Sequence, residues 1–195
     1  MEIIRPRSKQ PIPENARKVF AGKVFDVYQW EQKLFDGSVA IFEKLKRADT
    51  VVVFPVLPDG NILLTEQEHP GKEPFVGATG GGVEPGEDVL AAAKRELLEE
   101  SGYVADRFVL WDAQHPASKI DWVVYTFIAK GLKQVAGPSL DPGERIKLKP
   151  VSFEELLRLG GEPRFAEKEI VSKFIEARLD ERKEKELRQL FDPNS

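Results

Sequence analysis

Apolar residues follow a period of two through the front of the chain and switch to the helical period near the middle and again at the end. Residues 23–34 alternate imperfectly, with Val24, Asp26 and Tyr28 opposing Phe25, Val27 and Gln29, which predicts a partly buried strand. Asp36-Gly37 is a hairpin signal and 39–45 the returning strand, so a small antiparallel sheet precedes the main body. The run TVVVFPVL over 50–57 is apolar on both faces and β-branched, as a buried strand requires, with Pro55 marking a bulge or an edge. A second Asp-Gly turn, Asp59-Gly60, leads into a strand over 61–67, and the two strands are expected to pair as a hairpin. His69-Pro70-Gly71-Lys72 reads as a loop. A short strand over 75–79 then delivers the chain to Gly80, Gly81 and Gly82, a glycine loop able to turn tightly and approach a ligand.

Helical spacing begins after Pro85 and stops at Gly102. At about 100° per residue, Leu90, Ala93 and Leu97 share the packing face, flanked by Ala91 and Leu98. Glu96, Glu99 and Glu100 fall on the other side, with Arg95 one turn before Glu99. Strands are predicted over 107–114 and 120–130, the second apolar on both faces and therefore central. A loop rich in Gly and Pro follows over 135–144, then a strand over 146–151 and a helix over 153–159. From Ala166 the chain reads as helix, with Ile170, Phe174 and Ala177 on one stripe and Val171, Ile175 and Leu179 beside it; DERKEKE over 180–186 reads as a solvated continuation of the same helix. The first 15 residues carry Pro6, Pro11 and Pro13 and read as an extended arm. This order predicts an α+β fold: arm and small sheet over 1–47, main domain over 48–195.

At 195 residues, 41% apolar and 32% charged, the chain has the composition of an ordinary soluble protein with one core and a modest extension. No run approaches a membrane span, and MEIIRPRSKQ lacks the apolar core of a signal peptide, so no membrane partner and a cytoplasmic location are expected. Cysteine is absent, which excludes disulfides, Cys-based zinc sites and a thiol nucleophile. The net charge of −4, from 33 acidic and 29 basic residues with no basic block, argues against a nucleic-acid polymer as partner. Small anions stay open, because a bound metal brings its own positive charge.

Three glutamates on one arc of a helix resist simultaneous ionisation unless something positive neutralises them. A hard divalent cation such as Mg²⁺ does so and commonly bridges carboxylates to phosphates. A solvated helix with ordinary charge pairs accounts for the three residues equally well. The full spacing separates the two readings: Gly81, five residues, Glu87, seven residues, then Arg95, Glu96, Leu97, one residue, Glu99, Glu100, one residue, Gly102 and Tyr103. This resembles the Nudix box at every fixed position, with Tyr103 where that family usually has an aliphatic residue.

The resemblance implies the Nudix fold, mixed sheets sandwiched between helices, and a Mg²⁺- or Mn²⁺-dependent hydrolase of a nucleoside diphosphate linked to another moiety. It implies metal binding by Glu96 and Glu100, with Glu99 near them, the carbonyl of Gly80 as a further ligand and Glu87 as an outlying contact. Arg95 is implied to orient Glu99. In related enzymes the acid that positions water lies in a loop far beyond the box; Glu144 and Asp141 in SLDPGER are the candidates, and the resemblance favours Glu144, which a short strand and a helix follow at a family-like distance.

Beyond the box the chain is most similar to the ADP-ribose and nucleotide-sugar pyrophosphatases, in the hairpin ahead of the domain, the Gln67 loop and the strand order. Substrate contacts are thereby implied for Gln67, His69, Gly81 and Gly82. Two departures fall where substrate would lie. Those enzymes often carry Glu-Leu-Pro-Ala where this chain has Gly77, Ala78, Thr79 and Gly80, and an arginine where it has His69. The resemblance implies ADP-ribose or a nucleotide sugar as substrate, cleaved to a nucleoside monophosphate and a sugar phosphate; a nucleoside triphosphate or a dinucleotide polyphosphate stays open as the alternative. So does a sensing module, although such modules usually lose box glutamates that this chain retains. The front hairpin, with Phe20, Val24, Phe35 and Ile41 among its apolar residues, has more apolar surface than two strands can bury. In the enzymes it resembles such a sheet commonly crosses to the other subunit, so a homodimer is expected.

Overall fold

Valines on both faces of one central strand divide the protein into two cores. The computed structural model describes residues 3–140 and 142–195, and among these the strands form three sheets. The front sheet is built from β1 (Arg17–Ala21), β2 (Asp26–Lys33) and β3 (Val39–Lys46), and the hairpin of β2 and β3 closes at Gly37, whose φ of 88° suits glycine. The sequence pattern missed β1 because every residue of RKVFA is exposed and no alternation marks it.

The main body contains β4 (Thr50–Pro55), β5 (Ile62–Glu68), β6 (Phe75–Gly77) and β7 (Thr79–Gly82), followed by α1 (Val89–Ser101) and β8 (Tyr103–Gln114). Next come β9 (Ile120–Asp121), β10 (Val124–Gln134), β11 (Arg145–Val151), α2 (Phe153–Leu159), α3 (Val171–Leu179) and α4 (Glu181–Leu190). One sheet runs β7-β4-β10-β8 with β4 and β10 parallel at its centre; the other runs β11-β5-β6. The short β9 joins the front sheet beside β3, so the predicted strand over 120–130 is in fact two, serving different sheets. The extended arm is pinned to this joint: Arg5 pairs with Asp49 at 2.7 Å and Asp121 at 3.1 Å, and the buried Lys44 donates to Ser8 Oγ at 2.9 Å.

The expected hairpin of β4 and β5 does not form. Among the described residues only the isolated bridge Val56–Ile62 links them, because β4 is already flanked by β7 and β10 and the Val56 N–H goes to Ala129 O at 2.8 Å. After the Asp59-Gly60 turn the chain therefore crosses to the other sheet. Pro55 ends β4 beyond Val53, the last residue paired with β7, so its missing N–H breaks no ladder bond. The glycine segment is also a correction, since Gly80, Gly81 and Gly82 are extended in β7 and do not turn. Gly80 is required by close approach: a Cβ there would overlap the Val51 carbonyl oxygen.

The C-terminal segment is two helices. Asp180, at φ −137° and ψ 111°, leaves the helical region and caps α4 by accepting the Arg182 and Lys183 N–H groups. The chain turns back, burying Leu187 and Phe191, while Ile175 and Leu179 are exposed.

Val51 and Val53 face α1, whereas Val52 and Phe54 face α2, α3 and α4. Phe54 meets Trp111, Phe174 and Phe191 edge-on at centroid distances of 6.0, 6.5 and 6.0 Å. Phe54→Ala is expected to destabilise the fold by about 3–5 kcal/mol in urea melts; a loss below ~1 kcal/mol would show that this aromatic cluster is not the centre of the core.

Candidate active site

The acidic helix is fixed at both ends. Asp88 Oδ1 accepts the Leu90 and Ala91 N–H groups at 2.9 and 3.1 Å, and Gly102, at φ 76°, ends α1. Its buried face is Ala92, Ala93, Leu97, Glu100 and Ser101; the expected flanking residues Ala91 and Leu98 are exposed. The difference arises from β7, whose glycines leave room that carboxylates fill. A Cβ on Gly81 would overlap the Glu96 carboxylate, and Gly80 N–H donates to Glu100 Oε2 at 2.9 Å.

Arg95 binds both oxygens of Glu87 at 2.9 and 3.0 Å, Glu96 Oε1 at 2.8 Å, Glu99 Oε2 at 3.1 Å and the Gly82 carbonyl at 2.9 Å. It therefore does more than orient Glu99: it fastens the 82–87 loop to the helix. Glu87 also accepts the Glu84 N–H at 3.0 Å, so the structure gives this residue to the loop and to Arg95. Glu99 lies at the rim, half-exposed.

The loop over 135–144 is tied back along α1, with Ala136 N–H donating to Gly102 O at 3.2 Å and Ser139 N–H to Glu99 O at 2.7 Å. This route brings Glu144 to the box, where its charge acts on both Glu96 and Glu100. Asp141, the other candidate, lies outside the described residues. Glu144, Pro142, Gly143 and Arg145 face Glu68, His69 and Pro70 across a cleft of about 370 Å³. Gln67 is buried and donates to Thr65 Oγ1 at 2.9 Å, while its Oε1 meets His69 Nε2 at 3.1 Å. His69 stacks on Phe75 at 5.3 Å, with Lys72 Nζ 3.5 Å from the centre of the same ring. Of the pair, His69 rather than Gln67 meets the cleft.

Burial, opposed by Arg95 and reinforced by Glu99 and Glu144, raises Glu96 above the usual carboxyl range. Glu100 is pushed up to about 8, first by burial, with the Gly80 N–H opposing and Glu96, Glu144 and Glu167 adding. Among the described residues no three acidic or histidine side chains are drawn together tightly enough to hold an ion already, and Glu100 has no ion pair. The donor chemistry nonetheless fits a hard divalent cation: buried oxygen atoms, with Arg95 spent on Glu87, Glu96 and Glu99.

Sequence reasoning missed Glu167, which sits in a segment read only as the start of a helix. It is buried, accepts the Ala78 N–H at 3.0 Å, and is pushed up to about 8, first by burial. With the folded values of Glu100 and Glu167 above the unfolded carboxyl value, the folded chain retains protons that the unfolded chain has released, so stability falls as pH rises. The metal-free protein is expected to melt at a higher temperature at about pH 5 than at about pH 8, and Glu167→Gln is expected to flatten that slope. A parent melting temperature that rises across this window would contradict the assignment.

Such an arrangement belongs to a hydrolase of phosphoanhydrides. The model of the NUDIX domain matches residues 46–174, and the chain belongs to the Nudix family as a pyrophosphohydrolase. It is 30% identical over 145 residues to the ADP-ribose pyrophosphatase of Bacillus subtilis (strain 168), covering 73% of this chain and 78% of the relative. The methanol dehydrogenase activator of Bacillus methanolicus is 27% identical, covering 79% of this chain and 85% of that protein. A crystal structure of an ADP compounds hydrolase shares the fold, with a TM-score of 0.70 at 22% identity over 89% of this chain and 95% of the other.

Proposed function

We propose that this protein hydrolyses the pyrophosphate of a nucleoside diphosphate linked to a sugar, ADP-ribose or a nucleotide sugar, giving a nucleoside monophosphate and a sugar phosphate. The observation that carries the reading is the geometry of the box: Glu100 is buried and accepts the Gly80 N–H at 2.9 Å, while Arg95 grips Glu87, Glu96 and Glu99 beside it. The relative named for ADP-ribose supports the substrate class.

Glu96, Glu100 and the Gly80 carbonyl would hold Mg²⁺ or Mn²⁺, which polarises phosphoryl oxygens and takes up their developing charge. The remaining work falls to the chain. Arg95 keeps Glu96 and Glu99 in place, the Gly80 N–H orients Glu100, and Glu144 orients water and accepts its proton as it attacks phosphorus. His69, on its Phe75 shelf, and Arg145 bound the cleft that receives the substrate. A screen of ADP-ribose, nucleotide sugars, nucleoside triphosphates and dinucleotide polyphosphates, each with Mg²⁺ and Mn²⁺, tests this. Cleavage confined to triphosphates or dinucleotides, or binding without cleavage, would contradict it.

The division at residue 47 and the homodimer belong to the same proposal. Val19, Phe20, Val24, Val39 and Ile41, in and beside the front sheet, are exposed, apolar surface suited to a second copy of the chain. Sedimentation at micromolar concentration is expected to give a dimer, and Val39→Glu combined with Ile41→Glu a monomer. A monomeric parent protein would end the idea.

A further inference from the structure

Gly77 and Ala78 join β6 to β7, and a residue from far along the chain holds both. The backbone before α3 runs beside β6, with Val76 N–H donating to Arg164 O at 2.9 Å and Ala166 N–H to Val76 O at 2.8 Å. This pairing sets Glu167 over Gly77, where an added Cβ would lie 2.6 Å from Glu167 Oε1. The same oxygen accepts the Ala78 N–H at 3.0 Å, and Oε2 is buried with no hydrogen-bond partner among the described residues. Thr65 Oγ1 donates to the Gly77 carbonyl at 3.0 Å, and Thr79 Oγ1 to the Val53 carbonyl at 3.1 Å. Two residues beyond Ala78, Gly80 N–H meets Glu100. Every residue from Gly77 to Gly80 is thus fixed by a side chain, and carboxylates hold two of the four N–H groups.

A buried carboxyl with one oxygen unpartnered is a costly way to hold a strand joint. Its position, one peptide pair from the proposed cation ligands, gives the cost a purpose.

We infer that Glu167 is a positioning residue for the active site: it fills the space above Gly77 and, through the Ala78 N–H, sets the direction of the Gly80 peptide beside Glu100. This rests on the reading of Gly80 and Glu100 as cation ligands. Glycine at 77 leaves the space that the carboxyl of Glu167 fills. Supports of this kind hold ligands to within fractions of an ångström, and their loss weakens metal binding even though they never touch the ion.

Titration with Mn²⁺ alone, following the spin resonance of the free ion, tests the inference without substrate; melting curves accompany it. Glu167→Ala is expected to weaken Mn²⁺ binding about tenfold, whereas Glu167→Gln, which keeps an acceptor for the Ala78 N–H, stays within about twofold of the parent. Gly77→Ala, which pushes the Glu167 carboxyl aside, is expected to weaken binding to a similar degree, and Gly77→Ala with Glu167→Ala to be no weaker than Glu167→Ala alone. Parent affinity in a folded Glu167→Ala protein, or additive losses in the double variant, would overturn the inference. If Glu167→Ala does not fold, Gly77→Ala decides, since parent affinity there overturns the inference equally. A parent protein that binds no Mn²⁺ would contradict the proposed function instead, and the pairing of Gly77 with Glu167 would still be judged by non-additive melting.

Discussion

Glu100→Gln is expected to lower kcat/KM by ~10³-fold or more while leaving the fold intact. The amide oxygen still accepts the Gly80 N–H, so the local geometry survives, but the negative charge that would hold the cation is gone. Because burial already disfavours that charge, the variant is also expected to melt no lower than the parent at neutral pH, which separates lost chemistry from lost structure. Glu96→Gln is expected to follow it in activity. Parent turnover with unaltered Mg²⁺ dependence in either variant would remove the pair from the site.

Glu144→Gln is expected to reduce kcat by roughly 10²–10⁴-fold with little change in KM, since a group that positions water acts mainly in the transition state. Its neighbours across the cleft, His69 and Pro70, remain to receive substrate. Asp141→Asn serves as the control and is expected to retain activity. Should the two results be exchanged, Asp141 and not Glu144 would be the acid that serves the water.

Much of the fold was legible because local rules were obeyed. Ser152 caps a helix that begins and ends where its pattern predicts, and Asp36-Gly37 closes the front hairpin with Gly37 at positive φ. Failures came where tertiary pairing overrode a local signal. Asp59-Gly60 makes its turn, yet β4 and β5 part because other strands have already taken β4. The glycines before α1 read as a turn because sequence alone does not reveal that Val51 approaches Gly80 too closely for a side chain. Asp180 looked like one more polar residue of a helix and instead starts another.

At the site, the spacing of Arg95, Glu96, Glu99 and Glu100 was readable because one helix carries all four. Glu144 was singled out through the family resemblance, which implies an acid in a loop at this distance ahead of a strand and a helix. Glu167 was not, since its role depends on the pairing of residues 164–166 with Val76, a contact across some ninety positions that leaves no periodic mark.

The most direct test is hydrolysis of ADP-ribose by the parent protein in heavy-oxygen water with Mg²⁺, followed by phosphorus resonance. AMP and ribose phosphate, with the heavy oxygen in one of the two phosphates and no reaction when the cation is chelated, is the predicted result. An intact pyrophosphate after prolonged incubation with ADP-ribose and with each nucleotide sugar, or cleavage that persists without a divalent cation, would contradict the account.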